Sequence, residues 1–108
     1  MKSGKMHHED FKGHKGTIGP GDIQWMTAGK GIVHAEIPGS SEEASVGFQL
    51  WLNLRSNEKM KEPRYQELTN DQIPVYEEGQ KKVKIICGKW EGHEGPVKYN
   101  TPSLYMDI

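Results

Sequence analysis

A histidine and a glutamate two residues apart, His34 and Glu36, are the side chains of this chain best placed to do chemistry. They fall in residues 32–37, which we predict to be a β-strand because the segment follows a glycine-containing turn and is stopped by Pro38. Side chains at positions i and i+2 of a strand share one face. An imidazole nitrogen and a carboxylate oxygen are both ligands that borderline divalent metal ions accept, so the pair is half of a metal site.

The elements that must position this pair are short strands separated by glycine and proline turns. Besides residues 32–37, alternating or apolar segments predict strands at residues 23–26, 47–54, 82–87 and 103–108. The alternation is clearest in residues 47–54, where one face of the strand is expected to be core and carries Phe48, Leu50, Leu52 and Leu54. The other side chains expected to point inward are Val83, Ile85, Cys87, Leu104, Met106 and Ile108. Residues 40–46 predict a loop or a single helical turn, and the stretch after Arg55 predicts a loop with one helical turn. This pattern favours an antiparallel sandwich or barrel over a βαβ fold.

Composition limits the classes of partner. A chain of 108 residues is expected to form one domain with a modest core. The 14 lysines and arginines nearly balance the 15 acidic residues, so the chain lacks the basic surface of direct nucleic-acid binding. A lone cysteine, Cys87, cannot form an intrachain disulfide, which fits a reducing compartment. No apolar run reaches membrane-spanning length, and we expect an intracellular protein without a membrane partner.

Three further histidines, His7, His8 and His14, lie in the polar stretch of residues 1–15. A histidine-rich tract can bind metal, but a solvated strand end or an added purification remnant is the more frequent origin of such a segment. We therefore favour a structural interpretation of these three residues.

The large aromatic side chains and the paired glycines also have two interpretations each. Trp25, Phe48 and Trp51 could line a substrate cavity, but large aromatic residues usually serve the core, and the core is favoured. Gly29 and Gly31 could hold a phosphate, yet no helix N-terminus follows them, and a turn is favoured. Cys87 has no neighbouring base in sequence and is expected to be a buried structural thiol. No nucleophilic triad or carboxylate pair is visible, so catalytic and cofactor-contacting residues beyond the metal pair are not assigned.

Longer sequence blocks carry a family resemblance. Residues 21–36 read GDIQWMTAGKGIVHAE, residues 49–55 read QLWLNLR, and residues 62–67 read EPRYQE. Together with HEDF at residues 8–11 and TPSLYMD at residues 101–107, they resemble the pirin family of the cupin superfamily over essentially the whole chain. The resemblance implies an all-β fold, a cupin-type antiparallel β-barrel (double-stranded β-helix) truncated relative to the family. Residues 1–108 would form a single partial cupin domain.

The resemblance also implies a metal. Pirins bind one iron through three histidines and one glutamate, and the His-Ala-Glu part of that set falls on His34 and Glu36. The other two ligands belong to a His-x-His motif that nothing in residues 1–7 matches, and His8 and His14 match family positions that are not ligands. The expected metal ligands are therefore His34 and Glu36, with iron as the implied cofactor. Strands missing from the barrel would leave open sheet edges, so self-association is also expected.

The resemblance leaves three alternatives, two with a function and one without activity. Pirins act as iron-dependent regulators that bind transcription factors of the nuclear factor kappa-B system, which implies a protein partner in the nucleus and cytoplasm. Related proteins instead open quercetin with dioxygen, as quercetin 2,3-dioxygenases, with the metal holding the substrate. Such chemistry needs a closed, dry cavity. A third alternative is a truncated chain without metal or activity that folds only with a partner.

Overall fold

Ten short strands carry nearly all the regular structure of the chain. The computed structural model describes all of residues 1–108 and divides them into two units, Met1–Asn70 and Asp71–Ile108. Each paired strand runs antiparallel to its neighbour, and the prediction of an all-β protein is confirmed. The expectation of a single partial domain stays a prediction. No helix is both long enough and apolar enough to cross a membrane.

The first unit contains one three-stranded sheet, one strand pair and one helical turn. The sheet has the order β2-β1-β4, and strands β3 and β5 form the pair. The bounds are β1 Met6–Asp10, β2 Lys15–Ile18, β3 Ile23–Thr27, β4 His34–Pro38, α1 Ser56–Lys59 and β5 Arg64–Leu68. A 3₁₀ turn follows at Asn70–Gln72.

The hairpin between β1 and β2 is closed by the side chain of Asp10. Its Oδ1 accepts the backbone N–H of Lys12 at 2.8 Å and that of His14 at 3.0 Å. Aspartate favours turns because its short side chain can satisfy nearby backbone donors in this way. Gly13 within the turn has φ +85°, a backbone conformation that glycine adopts without steric cost.

The second unit is built around strand β7. Its sheet has the order β10-β7-β6, and β8 pairs with β9. The bounds are β6 Val75–Glu78, β7 Lys81–Cys87, β8 Lys89–Trp90, β9 His93–Glu94 and β10 Tyr105–Asp107. Strand β7 buries Val83, Ile85 and Cys87 as predicted, and Ile86, Ile73 and Val97 are buried as well. Four of these six buried side chains thus lie on one central strand, which supplies most of the core of this unit.

The segment expected to be the clearest strand, residues 47–54, forms no strand at all. Phe48 is 82% exposed and Trp51 is 88% exposed, so the prediction that these two side chains serve the core is wrong. A strand persists only where a neighbour completes its backbone hydrogen bonds, and no described strand pairs with this segment. The nearest ladder contact is an isolated bridge between Ser3 and Val46.

Several other boundaries differ from the sequence expectations. Strand β4 begins at His34, two residues later than predicted, and β10 covers only Tyr105–Asp107. Leu104 and Ile108, predicted to point inward, are 52% and 81% exposed, because they lie outside the paired part of β10. The helical turn before β5 is confirmed by α1, and the strand predicted at residues 23–26 is confirmed by β3.

Candidate metal centre

His34 and Glu36 are the first and third residues of strand β4. In the β1–β4 ladder, His34 lies directly opposite Asp10, and Glu36 lies directly opposite His8. Residues that face each other across an antiparallel ladder project from the same face of the sheet. Two imidazoles and two carboxylates therefore share one face of this strand pair.

The predicted pair lies on an open surface. All five residues of β4 are exposed, because β4 is an edge strand of its sheet. Gln49 Nε2 donates a hydrogen bond to Glu36 Oε2 at 3.1 Å, so an amide from the unpaired segment restrains this carboxylate. The imidazole of His34 is left accessible to solvent or to an added ligand.

Asp10 is held as a carboxylate by His14. The His14 Nδ1 and Asp10 Oδ2 atoms are 2.7 Å apart, and the Asp10 side chain is almost fully shielded from solvent. Burial acts to raise the pKa of Asp10, but hydrogen bonds from the His14 side chain and from the backbone of His14 and Lys12 outweigh it and lower the pKa to about 2. The face that carries His34 therefore keeps a permanent negative charge near neutral pH.

Tyr65, on strand β5, packs against the two histidines of this region. Its ring is stacked on His8 at 6.4 Å between centroids and tilted against His14 at 5.6 Å. The Tyr65 hydroxyl is buried and interacts with the Asp10 side chain. Burial, together with the nearby charges of Asp10 and Glu36, raises the pKa of Tyr65 to about 12. Tyr65 therefore contributes a neutral hydroxyl beside two carboxylates.

The His8 side chain is almost fully buried. Its Nε2 lies 2.5 Å from Glu67 Oε1, within ion-pair distance, but neither ring nitrogen has a hydrogen-bond partner of acceptable geometry. The ring fills the space above Gly16 of β2, where an added Cβ would lie 2.5 Å from His8 Cε1. The Nδ1 atom of His8 is a buried polar atom without a partner, which a bound water or ligand could satisfy.

The side chains on this face include the ligand types that bind metal ions, but they do not form a complete coordination shell. No group of three or more histidine, cysteine, aspartate or glutamate side chains is arranged to hold a metal. Asp10 is engaged by His14 and His8 by Glu67, which leaves His34 and Glu36 as the accessible pair. An imidazole and a carboxylate offer one nitrogen and one oxygen ligand, a combination compatible with iron or another borderline divalent ion. The assignment of these two residues as ligands stays a prediction.

The remaining candidates lie apart from this face. His7 points to the opposite face of β1, where its Nδ1 is 2.7 Å from Thr17 Oγ1. Gly29 has φ +56° in a turn closed by the Gly31 N–H, which donates to the Ala28 carbonyl at 3.0 Å, and this confirms the turn interpretation. In the second unit, burial raises the pKa of the Cys87 thiol, as expected of a structural cysteine.

Sequence reasoning missed Asp10 and Tyr65 as parts of this region. The four-residue spacing of Asp10 and His14 was a local signal that could have suggested their contact. The positions of Asp10 opposite His34 and of Tyr65 over His8 depend on strand pairing. No local pattern in the sequence contains that pairing.

Comparison with known proteins identifies relatives across the whole chain. The pirin family model matches residues 1–52. Pirin-like protein 2 from Arabidopsis thaliana is 54% identical over 105 residues, covering 97% of this chain and 32% of the relative. Human pirin is 52% identical over 108 residues, covering 100% of this chain and 37% of the relative. The chain thus spans about a third of the length of the curated relatives it matches.

A solved structure has the same fold. The crystal structure of quercetin 2,3-dioxygenase from Acinetobacter baumannii superimposes with a TM-score of 0.82 at 35% sequence identity. The alignment covers 96% of this chain and 38% of that chain. The prediction of a cupin-type antiparallel fold is confirmed by this similarity.

Proposed function

The chain belongs to the pirin family, and on that premise we propose that it supplies His34 and Glu36 to the metal site of a pirin-type cupin. The observation that carries the proposal is the placement of both side chains on one exposed face of β4, opposite His8 and Asp10. The buried, unpartnered Nδ1 of His8 nearby favours a polar occupant of this region.

Within this proposal, iron bound at the pair supplies Lewis-acid and redox chemistry. The other residues restrain the pair and its surroundings. Gln49 holds one oxygen of Glu36, and Asp10 fixes His14 through a short contact. Tyr65 presents a neutral hydroxyl beside the carboxylates of Asp10 and Glu36. Ligands beyond His34 and Glu36 come from outside this set of residues.

We assign the metal-linked activity to transcription co-regulation through a protein partner. Acidic and basic residues nearly balance, with a net charge of −1, so a transcription-factor protein is a better partner than nucleic acid. The proposed location is the nucleus and cytoplasm. The metal state would alter the charge and shape of the surface around Glu36 that the partner contacts.

A second candidate is a dioxygenase that acts on quercetin. The observation in its favour is the similarity to the Acinetobacter baumannii enzyme over almost the whole chain. In that case His34 and Glu36 keep the same role as ligands, and the flavonol is the substrate. A third candidate is a chain that binds no metal and self-associates through the exposed edge of β4.

The test measures the metal content per chain by mass spectrometry, in the full-length natural protein that contains these residues. Wild type is compared with His34→Ala and Glu36→Gln, and His7→Ala is the matched control because His7 lies on the opposite face. Both site variants should lose metal while the control retains it. Unchanged metal in both site variants would overturn the assignment.

Follow-up measurements separate the three candidates. Oxygen uptake with quercetin selects the dioxygenase. Metal-dependent capture of a transcription factor selects the regulator. Absence of metal together with a concentration-dependent melting temperature selects the self-associating chain.

A further inference from the structure

Three aromatic rings line a cavity in the second unit, away from the proposed metal ligands in sequence and in function. The cavity has a volume of about 200 Å³, and its walls include Tyr76, Trp90 and His93. The three rings are only partly exposed, and the buried side chain of Val83 contributes apolar surface below them. A hollow of this composition offers ring faces to a ligand.

Strand pairing fixes the rings in place. Tyr76 lies opposite Val83 in the β6–β7 ladder, and Trp90 lies opposite His93 in the β8–β9 hairpin. The Tyr76 and His93 ring centroids are 3.6 Å apart with an interplanar angle of 30°, so these two rings pack against each other and each has only its outer face left for a ligand. The aromatic walls therefore belong to hydrogen-bonded strands, which hold side chains more rigidly than loops do.

Negative charge surrounds the opening. The cavity lining includes three carboxylates, from Glu77, Glu78 and Glu91, against one ammonium group, from Lys81. Glu77 forms an ion pair with Lys82 at 3.5 Å. Glu78 and Glu91 are exposed and form no ion pair within the chain. Lys82 pairs with Glu77, and the Lys81 ammonium group also belongs to the lining, opposite Glu78 in the β6–β7 ladder, so the opening carries one carboxylate in excess beside an aromatic wall.

No cation of the chain already sits over these rings. The cation–ring contacts of the structure lie elsewhere, at Lys2 over Phe48 and at Lys12 over Phe11. An aromatic ring attracts a cation through the negative charge of its face, and several rings together form the sites that recognise methylated ammonium groups. Carboxylates at the rim add attraction for the same charge.

We infer that this cavity binds a methylated ammonium group, either on a small free molecule or on a methylated lysine side chain. An anion would be repelled by the rim, and a neutral apolar group would gain nothing from the carboxylates. A bulky cation with its charge spread over methyl groups uses both parts of the site. This binding is independent of the proposed metal site.

The test is an NMR titration of the whole protein that follows the indole N–H resonance of Trp90. The probes are choline, its neutral isostere 3,3-dimethylbutan-1-ol, and a short peptide with one trimethyllysine. Choline and the peptide should give saturable shifts in the millimolar range or below, and the neutral isostere should not. Tighter binding of the peptide assigns the site to a methylated protein, and equal or weaker binding assigns it to a free small molecule.

Variants distinguish binding at the cation site from non-specific binding. Replacing Tyr76→Leu removes a ring face while keeping an apolar side chain, and we expect choline binding to weaken by roughly threefold to thirtyfold, the range of one cation–π contact. Glu91→Gln should also weaken binding, and it lies in an exposed turn, so it remains informative where Tyr76→Leu fails to fold. Glu94→Gln, the same change of charge outside the cavity lining, is the control and should leave binding unchanged. Equal binding of the neutral isostere, no saturable shift with any cation, or an equal effect of Glu94→Gln would overturn the inference.

Discussion

His8 and Gly16 are direct partners across the β1–β2 ladder, and the imidazole of His8 lies where a side chain of residue 16 would begin. An added Cβ at Gly16 would be 2.5 Å from His8 Cε1 and 2.7 Å from Glu67 Oε1. The absence of a side chain at one residue therefore sets the position of a buried histidine beside the proposed metal pair.

Replacing Gly16→Ala should destabilise the protein by about 1–3 kcal/mol, because the added methyl group must displace the His8 ring from a filled space. Gly19→Ala is the matched control, since its Cβ would meet only Asp22 Oδ2 at an ordinary 3.6 Å. We expect the control to change stability by less than about 0.5 kcal/mol. Urea unfolding followed by circular dichroism measures both, and equal effects of the two variants would contradict this account.

Ile85→Ala should destabilise the protein by about 2–5 kcal/mol, because it leaves a cavity at a position that is 0% exposed in the core around β7. The same substitution at Ile108, which is 81% exposed, removes little buried surface and should cost less than about 0.5 kcal/mol. Denaturant midpoints of the two variants give the comparison. A small loss at Ile85 would show that the second unit contributes little to the measured transition.

The contact between Asp10 and His14 should make the free energy of unfolding depend on pH in the acid range. The pKa of Asp10 is about 2 in the folded protein against an ordinary 3.8, so its contribution is complete above about pH 4 and disappears as the pH falls toward 2. Asp10→Asn keeps an oxygen for the turn but removes the charge, so its unfolding midpoint should fall less between neutral pH and acid. The pKa of Glu62 is also lowered, by the hydrogen bond and charge of Lys30. Some dependence of stability on pH should therefore remain in both the wild type and Asp10→Asn. Identical pH profiles for wild type and variant would refute the assignment to Asp10.

Cys87 should resist thiol reagents in the folded protein. The side chain is 0% exposed and burial raises its pKa, so both access and the thiolate fraction are reduced at neutral pH. Reaction with a chromogenic disulfide should be slow without denaturant and fast in urea. A native rate close to the unfolded rate would place Cys87 at the surface and contradict the structure.

The sequence predicted those elements whose hydrophobic pattern and neighbours agree. Val83, Ile85 and Cys87 alternate along β7 and are buried, because β6 and β10 pair with β7 on its two edges. Residues 47–54 have an equally regular pattern but no pairing strand, so the same rule failed at Phe48 and Trp51. Periodicity reports a tendency, and backbone pairing decides whether it is realised.

The candidate site also has features that could be predicted from the sequence and features that could not. The shared face of His34 and Glu36 follows from their spacing on one strand and could be predicted locally. Their relation to Asp10 and His8 depends on the register of β1 with β4, which brings together residues more than twenty positions apart. The contacts of His8 with Glu67 and Tyr65 likewise appear only when strands β1 and β5 are packed together.

The unpaired segment at residues 47–54 also has a practical consequence for handling the protein. Residues 47–53 are exposed, and one of them, Gln49, donates a hydrogen bond to Glu36. A strand of another molecule that paired with this segment would reorient Gln49. The Glu36 carboxylate would shift with it. Concentrated samples should therefore report a different environment for Glu36 from dilute ones, and dilution series belong in every binding measurement made on this chain.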